Sequence, residues 1–169
     1  PYTTLFRSGS DADAAEVAAL LHDAAKQKPL EEMQALASRS FTDLPAPIFN
    51  IGSLLHGYAA VTLAREKYGI DDPDILAAVA HHTTGAEAMG KLEKIIFMAD
   101  YIEVNRDFDG VEALRQAAER DLDEAVLLGY DSTIRHLLDQ KKPIFVGTVT
   151  NRNAHISAMM KEAARKAGR

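Results

Sequence analysis

Residues 18–26 read AALLHDAAK. Alanine and leucine are strong helix formers, and the run begins with Ser10 as a cap and with Asp11, Asp13 and Glu16 at the positive end of a helix dipole. The pattern predicts a helix from Ser10 or Asp11 to about Lys26. His22 and Asp23 interrupt its apolar text. Neighbours on a helix point roughly 100° apart, so the pair can still converge on one ion at a groove edge. Lys26 lies one turn beyond Asp23 and projects from the same side. On this dipeptide alone the plainer reading is favoured: a helix-surface salt bridge with an incidental histidine, of the kind that contributes little.

Working outward, the chain reads as helix after helix. LEEMQALASR (30–39) follows Pro29, and 41–53 carries two prolines and reads as a loop. A third helix runs from about Leu54 to Tyr68 and stops at Gly69. Asp71, Asp72 and Pro73 open a fourth, which ends near Gly85; a fifth covers about Lys91 to Glu103. Residues 110–140 give one or two more. Lys141 to Val149 reads as extended because Pro143 and Gly147 interrupt it, and a last amphipathic helix begins at about Asn153. The fold class is all-α with short connections.

Composition narrows the function. The chain has 169 residues, 47% of them apolar, with no cysteine and no tryptophan. Thiolate metal sites, disulfides and a cysteine nucleophile are excluded. A net charge of -6 argues against nucleic-acid binding, which needs a basic footprint. No apolar run approaches the ~20 residues of a membrane span, and no secretory leader is visible. A cytoplasmic protein with a small-molecule partner is the expectation, with the oligomeric state left open.

Two further places break the hydrophobic pattern. In KLEKIIFMADYIEVNR (91–106), Asp100 sits beside an apolar stripe of Leu92, Ile95, Ile96 and Ala99. A carboxylate carried toward a core needs a partner: a metal cation, a helix–helix hydrogen bond or Arg106. His56 in LLHGYAA (54–60) and His82 in AAVAHHTTG (77–85) also lie in Ala/Leu helices. His81 reads as a neighbour of His82, and His136 and His155 read as structural.

The ordered set His22-Asp23, His56, His82 and Asp100 resembles the HD-domain superfamily of metal-dependent phosphohydrolases. It is more similar still to the YqeK-type symmetrical diadenosine tetraphosphate hydrolases. The matching text is LLHDAAK (20–26), LLHGYAA, HTTG (82–85), FMADYIEVNRDF (97–108), GVEALR (110–115) and KKPIFVGTVTNRN (141–153). The resemblance implies an all-helical HD bundle that cleaves diadenosine tetraphosphate into two ADP. It implies that His22, Asp23 and Asp100 bind a divalent metal, iron by analogy, with manganese or zinc equally suited to these donors. Lys26, His56, His82, Thr83 and Arg106 would surround the phosphates, and His56 and His82 alternatively hold a second metal. Asp23 and Lys26 would carry the catalysis, Asp23 orienting the attacking water and Lys26 stabilising phosphoryl charge. The branch usually has a proline where this chain has Val104. Other nucleotide substrates, or a non-catalytic nucleotide-binding module, are the competing expectations.

Residues 1–8, PYTTLFRS, match the translation of a common short-read sequencing adapter. They are expected to be foreign, leaving 9–169 as an HD domain without its N-terminal helix and with a C-terminal helical extension. That loss would remove one upstream histidine ligand and expose apolar positions such as Val17 or Leu21.

Overall fold

The computed structural model describes residues 9–168; the adapter reading of 1–8 concerns residues outside that range. Nine helices and no strand occur among the described residues: α1 (Gly9–Leu21), α2 (Leu30–Ser40), α3 (Ala46–Phe49), α4 (Gly52–Tyr68), α5 (Pro73–His81), α6 (Lys91–Ile102), α7 (Val111–Arg120), α8 (Leu122–Asp139) and α9 (Val146–Ala167). No described helix is long and apolar enough to cross a membrane.

Local chemistry sets most boundaries. Gly69 ends α4 in the left-handed region, and the Asp72 carboxylate accepts the backbone N–H groups of Asp74 and Ile75 at 2.9 and 3.1 Å to start α5 at Pro73. Asp121 does the same for α8, accepting from Asp123 and Glu124. Glu93 reaches back to the N–H of Gly90 at 2.7 Å and caps α6.

Three expectations about individual elements are corrected. The first helix ends at Leu21, not Lys26, and residues 22–27 form successive turns. Their bonds, such as Lys26 N–H to the Asp23 carbonyl at 3.0 Å, span three residues instead of four. His22 and Asp23 therefore stand just past a helix end, where consecutive side chains can face one point. The loop 41–53 contains the short helix α3 behind Pro45. The last helix begins at Val146, because Gly147 is tolerated in a first turn that Pro143 precedes.

Two apolar cores share α6. The larger joins α1, α2, α4, α5 and the first half of α6; the smaller joins Phe97 and Met98 of α6 to α7 and α8. Small residues bring the site-bearing helices close. On α1, Ala15 and Ala18 are buried. At Gly57, a Cβ would lie 2.8 Å from the carbonyl oxygens of Val79 and Ala80, so only glycine lets α4 approach α5 this closely. Leu21 is 8% exposed and Val17 packs against the core, contrary to the expected apolar exposure; Leu20 is the exposed residue there, at 75%.

Candidate metal centre

The centre forms where the C-terminal ends of α1 and α5 meet the first turns of α4. His22 and Asp23 come from the turn after α1, His56 from α4, and His82 is the C-cap residue of α5. Each imidazole is oriented by its own chain. His22 Nδ1 lies 2.6 Å from the Ala19 carbonyl, His56 Nδ1 3.3 Å from Gly52, and His82 Nδ1 2.8 Å from Val79. A carbonyl oxygen only accepts, which assigns the ring hydrogen to Nδ1 in all three and leaves each Nε2 with a lone pair when neutral.

Those lone pairs converge. His56 Nε2 and His82 Nε2 are 2.8 Å apart; they lie 3.2 and 3.6 Å from Asp23 Oδ1. His22 Nε2 is 3.6 Å from Asp23 Oδ2. Donor atoms of His22, Asp23 and His82 all fall within 4.8 Å of one another. Asp23 Oδ1 is buried and accepts no hydrogen bond from any described residue. Such an atom is costly to desolvate unless something positive meets it. Burial pushes the Asp23 carboxyl up, but the His82 ring, Lys26 and His22 outweigh it and hold the group well below the usual carboxylate range. Burial pushes His56 down, helped by neighbouring His82 and only partly offset by Asp23. A persistent Asp23 carboxylate and a His56 imidazole held toward its neutral form are forms that ligate first-row cations. The Nδ1–carbonyl bonds are the outer support that metal-ligating histidines ordinarily have. The donor set fits a divalent cation.

The other expected residues fall around this cluster. Lys26 Nζ pairs with Asp23 Oδ2 at 2.8 Å. Asp100 pairs with Arg106 at 2.9 Å, and Arg106 Nε also donates to the Asp100 carbonyl at 3.1 Å. His22, Asp23, Lys26, Asp100 and Arg106 line one cavity of about 640 Å³ between α1 and α6, whose remaining wall is largely Ala, Leu and Ile. His56 and His82 are 4% and 1% exposed, behind Asp23, and are not on that wall. Thr83 is half-buried beside His82.

Of the remaining histidines, His81 pairs with Glu93 at 2.6 Å, and His155 donates to the Asp123 carbonyl at 2.8 Å. Arg115 carries a task not visible in the sequence. It donates to the carbonyls of Glu103 and Arg106, both at 3.0 Å, and so fixes the loop that aims Arg106. Its only signal was a cation inside the matching text GVEALR.

An all-helical domain that gathers a His-Asp pair and further imidazoles at helix ends, beside a cavity with two cations, belongs to a class of metal-dependent hydrolases. The HD-domain family model matches residues 5–105. The chain is 38% identical over 152 residues to the symmetrical bis(5'-nucleosyl)-tetraphosphatase of Bacillus subtilis, covering 89% of this chain and 81% of that one. It is 41% identical to the enzyme of the same name from Halalkalibacterium halodurans, over 86% and 77%. The crystal structure of a Clostridium acetobutylicum protein described as a predicted HD superfamily hydrolase involved in NAD metabolism superposes with a TM-score of 0.81 at 41% identity, again over 86% and 77%. The chain belongs to the HD-domain family, among its symmetrical bis(5'-nucleosyl)-tetraphosphatases.

Proposed function

We propose that this chain hydrolyses diadenosine tetraphosphate to two ADP at a divalent metal centre held by His22, Asp23 and Asp100, with iron as the resident metal. His82 and His56 complete the donor set or hold a second cation. The single observation that carries this reading is the gathering of His22, Asp23 and His82 donor atoms within 4.8 Å of one another, where Asp23 Oδ1 lacks a hydrogen-bond partner among the described residues. Manganese and zinc suit the same donors.

A bound divalent cation supplies Lewis acidity to a phosphoryl oxygen and lowers the pKa of water. The rest falls to the chain's own groups. Asp23, held ionised, orients the attacking water while serving in the donor set. Lys26 and Arg106 grip the central phosphates from opposite walls and offset charge that grows as the bond breaks. Water oxygen joins one central phosphorus, the central P–O–P bond breaks, and the bridging oxygen leaves on the second ADP. The Ala, Leu and Ile wall of the cavity suits an adenosine face and limits water around the reacting phosphates.

Incubation with diadenosine tetraphosphate and chromatographic separation of nucleotides tests the assignment. ADP as sole product agrees with it; ATP together with AMP rejects it.

A further inference from the structure

We propose that Asn151, on the C-terminal helix α9, is a positioning residue for the metal centre, acting through the turn that carries His82; the inference rests on the metal-centre reading above.

The buried residues of α9 are Thr148, Asn151 and His155, which share one face and are all polar. Two interactions dock the helix on α8 and its start: Arg152 pairs with Asp131 at 2.8 Å, and His155 donates to the Asp123 carbonyl at 2.8 Å. Asn151 does something else. Its Nδ2 donates at 3.0 Å to the Thr84 carbonyl, 67 residues earlier in the chain. Thr84 is buried, so its carbonyl would forfeit solvation without that donor.

The same turn is gripped from two other helices. Tyr58 of α4 and the Thr84 hydroxyl lie 3.2 Å apart, and that hydroxyl donates to the Gly85 carbonyl at 3.0 Å. Gly85 has φ +62° and lies so close to the Tyr130 hydroxyl of α8 that any Cβ would collide with it. His82, two residues before Thr84, is tied at Nδ1 to Val79. The ring therefore follows the backbone at the end of α5 and has little freedom to compensate when the turn shifts. A ligand set needs its atoms held to within about 0.5 Å. Partners that orient ligands are worth about 10–100-fold in metal affinity. Asn151 acts one step further out, which places its effect near the lower end.

The test uses Co²⁺ alone, titrated into the chelator-treated full chain and followed by its visible d–d absorption, with melting temperature measured in parallel. Asn151→Ala and Asn151→Ser should each weaken Co²⁺ binding about tenfold and alter the visible band. Arg152→Ala, which loosens the same helix without touching the turn, should keep the wild-type Kd and band. Variants of Asn151 that lower only the melting temperature, with Kd and band unchanged, would show a structural role and overturn the proposal. Failure of the wild type to take up Co²⁺ would instead overturn the metal-centre reading, and this inference with it.

Discussion

The Nε2 atoms of His56 and His82 lie 2.8 Å apart although both rings already donate their Nδ1 hydrogens to backbone carbonyls. Two lone pairs at that distance repel unless a proton or a cation joins them. Asp23 Oδ1, close to both, adds negative charge and accepts no hydrogen bond from any described residue. The cluster is balanced for an occupant of positive charge, and occupancy should stabilise the fold.

Metal binding should raise the melting temperature of the wild type. A ligand at 100 times its Kd adds about 2.7 kcal/mol to a folded state that alone binds it. Differential scanning fluorimetry of chelator-treated protein with added Mn²⁺ measures this. His22→Ala should show a much smaller rise, and an equal rise would remove His22 from the donor set.

Asp100→Ala and Lys26→Ala should separate binding from chemistry. Asp100→Ala should lose metal by elemental analysis and lose hydrolysis with it, and it should leave Arg106 without the carboxylate it pairs with. Lys26→Ala should keep metal and fold while kcat drops about 10²-fold or more, the usual cost of removing one group that stabilises transition-state charge. Full metal content in Asp100→Ala, or unchanged kcat in Lys26→Ala, contradicts the respective role.

Glu93 supplies a pH-dependent part of the stability through its pair with His81. Burial pushes its carboxyl up, but His81, the Gly90 N–H and Lys94 together hold it below the ordinary value of 4.5. A depressed folded-state pKa means that the unfolded chain binds more protons in this window, so stability rises with pH there. The contribution is present above about pH 4.5 and is lost as pH falls toward the folded value. Glu93→Gln should therefore melt lower than wild type at pH 7, with the gap closing below that pH window. A gap that widens on acidification would refute the sign.

Much of the helical plan was legible because its signals are local. Gly69, the Asp72-Pro73 start and the apolar spacing of α6 each act within a few residues. The end of α1 was not, because 18–26 contains no stop signal: alanines continue through Ala24 and Ala25. The helix yields there to tertiary demands, which bury Ala25 and bring Asp23 to the two imidazoles. The meeting of His56 and His82 depends on Gly57 admitting α5, a contact across 26 residues that leaves no periodic trace. Asn151 and Arg115 were missed for a related reason. Each bonds a distant backbone carbonyl, and any residue can offer a carbonyl, so the partner imposes no residue type.

Gly85→Ala tests the grip on the turn from the α8 side. The substitution places a Cβ at φ +62° and against the Tyr130 hydroxyl, a conformation that costs about 1–3 kcal/mol before the collision is relieved. Urea denaturation should show at least that loss. A variant as stable as wild type would mean that the turn moves freely, and the same turn could not then hold His82 in place.

The central claim is that hydrolysis depends on a divalent metal at the His22, Asp23 and Asp100 centre. The most direct measurement is the rate of ADP formation from diadenosine tetraphosphate by chelator-stripped protein as divalent metal is added back. The account predicts no turnover without metal and a rise that saturates as the site fills, with ADP as the sole nucleotide product and no recovery in Asp23→Ala. Full turnover in the stripped protein, or ATP and AMP in place of ADP, would contradict it.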